Sequence, residues 1–252
     1  MKVKVKIDGK EFDATKGEFI IDVAKRNNIK IPSLCHHPAL SPHASCRICI
    51  VELEQQGKKG KRIVTSCNYP VKGGEVISTK SEGIFKLRKI LIEYLLSMAP
   101  KSEVLQKLAY EYKVKKIRFD SPGTATNCIL CGLCVRACEE ISGASVINFS
   151  SRGWWRGVET LKAQENASCI ACAVCSEICP TQAITTEKSA IGKLKKLSGT
   201  GRWCRYHLMG ISQGALCSMN YNCDRCDVEF FWREHFGGHP LIVTAMEKKK
   251  VK

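Results

Sequence analysis

Two short stretches of this chain carry the same cysteine spacing, C-x2-C-x2-C-x3-C: Cys128, Cys131, Cys134 and Cys138, then Cys169, Cys172, Cys175 and Cys179. Three cysteines crowded onto one tight loop, with a fourth just beyond, cannot be spread through a hydrophobic core. Such a loop has to curl around something that takes thiolates. The opening residues, MKVKVKIDGK, read as a strand rather than an apolar signal segment, and no uncharged apolar run is long enough to cross a bilayer. The expected location is the cytoplasm, where reducing conditions make 16 cysteines at such spacings metal ligands rather than disulfides.

The repeat follows the two-cluster ferredoxin pattern, in which three close cysteines hold one 4Fe–4S cubane and the distant fourth crosses to the other. On that pattern Cys128, Cys131, Cys134 and Cys179 serve one cubane, and Cys138, Cys169, Cys172 and Cys175 serve the second. Two zinc sites would instead need two well-separated C-x-x-C knuckles each. Gly132, Ala137, Ala171 and Ala173 are small, as expected where backbone N–H groups approach cluster sulfurs. Between the copies, ASVINFSSRGWWRGVETL reads as strand, turn and strand. Trp154 and Trp155 stand at its bend, where they are expected to cover a cluster or pack as core.

At the front, Val3, Val5 and Ile7 alternate with lysines, Asp8-Gly9 is a hairpin turn and Glu11 to Ala14 reads as the return strand. Thr15, with Glu18 in capping-box register, predicts a helix start ahead of the apolar face Ile20, Ile21, Val23 and Ala24. Hairpin then helix is how a β-grasp domain begins. The loop that follows is rich in Pro, Ser and His and contains Cys35, Cys46 and Cys49, with Cys67 further on.

The stretch CHHPALSPHASCRICIVEL, followed by TSC, resembles the N-terminal 2Fe–2S domain of the complex I large iron–sulfur subunit and its relatives in NAD-linked hydrogenases and formate dehydrogenases. The resemblance covers about the first eighty residues and implies Cys35, Cys46, Cys49 and Cys67 as the four ligands of a 2Fe–2S cluster. The family usually has Gly two residues before the second cysteine; here Ala44 stands there. His36, His37 and His43 are expected at the surface or behind the ligands, since four thiolates complete two irons. The first cubane motif, with Glu139 where the second has Pro180, also resembles these subunits. Complex I-type members carry a further cluster held by His and three Cys, but residues 68–127 contain neither Cys nor His. The resemblance is therefore to shortened members.

Residues 81–118 place Ile84, Leu87, Ile90, Leu91, Tyr94 and Leu95 at helical spacing, Pro100 interrupts, and Ser102 to Val114 resumes, which predicts a helical bridge with a packed core face. After the cubanes comes a Lys-, Gly- and Ser-containing linker, then Cys204, Cys217, Cys223 and Cys226. Four thiolates in so small a module suit structural zinc, and a further Fe–S centre is the alternative. His207, His235 and His239 are expected at the surface. Trp203, Tyr206, Tyr221, Phe230, Phe231, Trp232 and Phe236 crowd this module and are expected to form a contact patch.

The expected class is thus α+β in four parts. These are a 2Fe–2S ferredoxin-type β-grasp domain (1–80), a helical bridge (81–120), a ferredoxin-like domain for two 4Fe–4S clusters (121–190), and a linker with a four-cysteine metal module (191–252). The formal charge of +16 counts every thiol as neutral, and three dianionic clusters lower it to roughly +10. Lys and Arg are spread out, so a solvated basic surface or a dock for an acidic protein is expected rather than nucleic-acid binding. Neither a dinucleotide fingerprint nor a P-loop is visible. The expected role is a non-catalytic electron-transfer subunit of an oxidoreductase hetero-oligomer. It relays electrons between a flavin- and NAD(P)-binding subunit and a catalytic redox subunit such as a hydrogenase or formate dehydrogenase. An autonomous polyferredoxin carrier is the alternative, and a metal-binding regulatory or nucleic-acid-binding protein a third reading.

Overall fold

The computed structural model describes residues 1–55, 57, 60–121, 127–160, 169–184 and 202–250, with the backbone alone at Trp154 and Thr160. The chain divides into two units, Met1–His36 with Pro42–Cys131, and His37–Ser41 with Gly132–Lys252.

In the first unit β1 (Lys2–Ile7) and β2 (Lys10–Thr15) form a hairpin. Its two turn residues, Asp8 and Gly9, both have positive φ (46° and 87°), the requirement of the turn whose twist matches paired strands. After α1 (Ile20–Arg26) come β3 (Ile50–Gln55), β4 (Arg62–Thr65) and β5 (Glu75–Ser78). Among the described residues the sheet runs β2-β1-β5-β3-β4, with β1 and β5 parallel and the other neighbours antiparallel. Val5, Ile7, Val51, Leu53 and Ile77 face Ile20, Val23 and Ala24 of α1 in one core.

The helix start expected at Thr15 is displaced. Thr15 ends β2, and α1 begins at Ile20 with Phe19 as N-cap. The capping-box contact does form, Thr15 N–H donating to Glu18 Oε2 at 3.0 Å. It closes a turn instead of a helix, because Phe19 is held extended in a bridge to Pro70.

Two helices complete this unit, α2 (Glu82–Met98), capped by Ser81 Oγ accepting from the Ile84 N–H at 3.2 Å, and α3 (Glu103–Glu111). The core face of α2 matches the expected one only in part. Ile84 and Leu95 are buried as expected, together with Arg88, Ile92 and Leu96, whereas Leu87, Ile90 and Tyr94 are exposed. Arg88 passes as an apolar position because every part of its guanidinium has an acceptor: Ile48 O at 3.1 Å, Ile50 O at 2.6 Å, Thr79 O at 3.1 Å and Tyr112 Oη at 3.0 Å.

The second unit contains α4 (Leu133–Glu140), an antiparallel hairpin of β6 (Ile147–Ser150) and β7 (Gly157–Thr160), and α5 (Val174–Glu177). It continues with α6 (Arg205–Leu208), α7 (Asp227–Phe236) and α8 (Pro240–Lys250). Val135, Val146 and Ile147 form a small core against Phe149 and Val158. Trp155, expected to be covered, is 79% exposed, since its 3-10 turn at Gly153–Trp155 projects from the hairpin end. The linker expected ahead of the C-terminal module falls on residues 185–201, outside the described residues. Among the described residues, no helix is long and apolar enough to cross a membrane.

Candidate metal centres

Four cysteines converge in the first unit because of strand pairing. Cys49 immediately precedes β3 and Cys67 is the second residue after β4. Pairing of Ile50 with Thr65 brings these ends together, with Ser66 N–H donating to Cys49 O at 3.1 Å. Cys35 and Cys46 come from the long loop after α1, where the Cys46 N–H donates to Cys35 Sγ at 3.3 Å. All four are buried, none above 5% exposed. Their thiols form one connected series. Hydrogen bonds from the Cys46 and then the Cys67 thiol hold Cys35 far below the usual thiol range. The bond to Cys35 raises Cys46, and bonds to Cys35 and then Cys49 raise Cys67. Cys49 is brought down to about 7 by the Cys67 thiol. Four sulfurs linked in one series, shielded from water and facing amide N–H groups, fit a 2Fe–2S group, which assigns two thiolates to each iron. The loop curls through left-handed residues at Ala44 (φ 57°) and Arg47 (φ 60°). His36 is half-buried beside Asp22 at 3.6 Å, and His43 is exposed.

The two repeats share a backbone device. Leu130 and Gly132 have φ of 51° and 71° in the first copy, and Ala171 and Ala173 have φ of 50° and 62° in the second. Left-handed residues at alternate positions turn successive N–H groups to the same side, an arrangement that cradles anions. Gly132 and Ala173 are also the N-caps of α4 and α5. Small size thus has two origins: Ala171 and Ala173 belong to the cradle, but Ala137 is helical and fully buried, so its size serves packing.

In the second unit Cys134 and Cys138 lie on α4 and pack with Cys175. Burial pushes Cys172 up and Cys175 up to about 12, with repulsion from Cys169 and Cys138 adding to both. Cys138 Sγ accepts from the Val146 N–H at 3.3 Å. Thiolates this close repel one another until cationic iron sits between them, so Cys138 and the Cys169, Cys172, Cys175 loop fit one cubane. Cys128 and Cys131 lie in the loop before α4, with the Leu130 N–H donating to Cys128 Sγ at 3.4 Å. Cys179 follows α5, its sulfur 3.8 Å from Thr181 Oγ1.

The C-terminal cysteines also come together, lining one small cavity. Cys204 and Cys226 are the N-caps of α6 and α7, Cys223 starts a 3-10 turn, and Cys217 accepts from the Tyr221 N–H at 3.2 Å. Burial is the main cause raising Cys204 and bringing Cys223 up to about 11. As placed, no three His, Cys, Asp or Glu side chains among the described residues form the shell of a single ion. The aromatic patch expected here is divided: Trp203, Phe230 and Phe231 are exposed, whereas Tyr206 and Tyr221 are buried. His239, expected at the surface, is 3% exposed, with Nε2 2.7 Å from Cys172 O. The signal for that burial was absent from its neighbours in sequence, since its partner lies 67 residues earlier.

The 2Fe-2S iron-sulfur cluster binding domain family matches residues 1–82, and the 4Fe-4S dicluster domain family matches residues 127–183. This chain is a 2Fe–2S plus 4Fe–4S dicluster protein. It is 33% identical over 202 residues to the NADPH-Fe(3+) oxidoreductase subunit alpha of Geobacter sulfurreducens, covering 71% of this chain and 23% of that protein. It is 28% identical over 214 residues to the mitochondrial NADH-ubiquinone oxidoreductase 78 kDa subunit of Neurospora crassa, covering 75% of this chain and 28% of that one. The chain therefore spans about a quarter of each of these relatives. A crystal structure of NAD+-reducing [NiFe]-hydrogenase in the H2-reduced state contains a chain with a TM-score of 0.61 and 29% identity, covering 71% of this chain and 85% of that one. The 2Fe–2S plus dicluster protein thus resembles the N-terminal part of complex I-type subunits and a hydrogenase chain.

Proposed function

We propose that this subunit relays electrons between a flavin- and NAD(P)-binding subunit and a catalytic redox subunit, such as a hydrogenase or formate dehydrogenase, in a cytoplasmic hetero-oligomer. The observation that carries this reading is the buried, connected Cys46–Cys35–Cys67–Cys49 series in the same chain as the two cubane loops. Each cluster, when bound, takes up and releases one electron at a time. On this reading a β-grasp domain holds 2Fe–2S through Cys35, Cys46, Cys49 and Cys67. Cys128, Cys131, Cys134 and Cys179 hold one cubane, and Cys138, Cys169, Cys172 and Cys175 the other. The chain's own part is to keep water from the sulfurs and to aim N–H groups at them, as Cys46 does at Cys35 and Val146 at Cys138. A bridge over 81–120 and a C-terminal module from 191 complete the proposed division.

Hydride carriers deliver two electrons together and these clusters accept one, so a flavin stands between them. The chain isolated anaerobically is expected to hold about ten irons. NADH alone should leave its visible absorption unchanged, and addition of the flavoprotein co-purified from the native complex should bleach it. Bleaching by NADH with no flavoprotein present overturns the division of labour, and native isolation as a single free chain favours an autonomous carrier.

A further inference from the structure

We propose that Cys204, Cys217, Cys223 and Cys226 bind one zinc ion, and that the module organised by it clamps the loop carrying Cys169, Cys172 and Cys175. The four thiols line one shared cavity of about 20 Å³, which suits a single ion held among them. Tetrathiolate coordination of a single ion is the structural zinc arrangement, with the sulfurs drawn in to about 2.3 Å. The surroundings suit the dianion that results. The Tyr221 N–H already donates to Cys217 Sγ. Arg205, 3% exposed, lines the same cavity with its Nε without a protein acceptor, a buried donor and positive charge beside the sulfurs.

From this site a chain of charges runs to the second cubane loop. Arg205 Nη2 is 3.2 Å from Glu229 Oε1, the same oxygen accepts from Arg233 Nε at 2.6 Å, and Arg233 Nη2 donates to Glu177 Oε2 at 3.0 Å on α5. His239 Nε2–H donates to the Cys172 carbonyl oxygen at 2.7 Å. Apolar groups cover the loop as well: Tyr206, Met209 and Trp232 pack in one cluster with Ile170 and Cys172, and Tyr221 packs with Ala171 and Ala173. A module with so little core of its own cannot hold these contacts unless its chain is pinned, and metal coordination supplies the pin. The clamp rests on assigning Cys169, Cys172 and Cys175 to a cubane; the zinc site does not.

The test uses the full chain, purified anaerobically with its clusters. X-ray absorption at the zinc edge should show one zinc per chain in an all-sulfur shell. Cys223→Ser with Cys226→Ser should lose the zinc, retain the iron, and speed amide exchange at 171–175 at least tenfold. His239→Ala should keep both metals and still speed exchange there. It covers the case in which the double variant fails to fold. Absence of zinc, iron in its place, or loss of a reducible centre in the double variant overturns the zinc site. Unchanged exchange in both variants overturns the clamp. Zinc bound in a wild-type chain that lacks the second cubane would support the metal site and sink the assignment of the loop.

Discussion

Arg88 Nη2 lies 2.6 Å from the carbonyl oxygen of Ile50, and its Nε lies 3.1 Å from that of Ile48, so one buried guanidinium grips the backbone on both sides of Cys49. Replacing it with Met keeps the stem but strands at least three buried carbonyl groups. Arg88→Met is expected to destabilise the N-terminal unit by about 3 kcal/mol. Urea titration followed by the 2Fe–2S circular dichroism should show an earlier midpoint while the cubane signals lag. An unshifted midpoint would show that the grip carries no stability.

Ala44 occupies a left-handed conformation, φ 57°, with its methyl group buried at 2% exposure. The strain of about 1–2 kcal/mol for a non-glycine residue there is offset by methyl burial of about 0.8 kcal/mol and by the lower unfolded-state entropy of Ala, about 0.4–1 kcal/mol. Ala44→Gly should therefore change stability by less than about 1 kcal/mol, whereas Ala44→Val should destabilise by more than about 2 kcal/mol. Equal effects of the two in thermal melts would remove the backbone explanation.

Glu93 is buried, and its carboxylate accepts from Arg118 Nε at 2.8 Å, Nη2 at 2.8 Å and the backbone N–H at 2.5 Å. Hydrogen bonding by Arg118 lowers the Glu93 pKa below its ordinary 4.5. A depressed carboxylate contributes stability that is complete above the unfolded value and lost as pH falls through the folded one. The gap in urea midpoint between wild type and Glu93→Gln should thus be constant from pH 7 to about 5 and narrow below pH 4.5. A gap that widens on acidification contradicts the sign.

Cys67→Ser should remove the 2Fe–2S EPR signal and leave both cubane signals. Cys138→Ser should damage the cubane of the Cys169–Cys175 loop, because Cys138 lies close enough to Cys172 and Cys175 to raise both thiols. Loss of the other cubane instead, with this one intact, would refute the crossed ligand set.

What the sequence determined by itself is what depends on neighbours along the chain. The two cysteine loops are legible because three cysteines within seven residues leave one local geometry. The Asp8-Gly9 turn is legible because positive φ at both positions is a local demand, and the break at Pro100 because Pro lacks an N–H. Tertiary structure decided the rest. Arg88 is buried because Ile48, Ile50 and Thr79 supply acceptors, and the core stripe of α2 therefore runs through it rather than through Leu87, Ile90 and Tyr94. The Phe19–Pro70 bridge moved the start of α1, and the Cys172 carbonyl drew His239 inside. The physical reason is the same each time. Burial of a polar group is set by partners that satisfy it, and those partners lie far away in sequence, where spacing and periodicity carry no information about them.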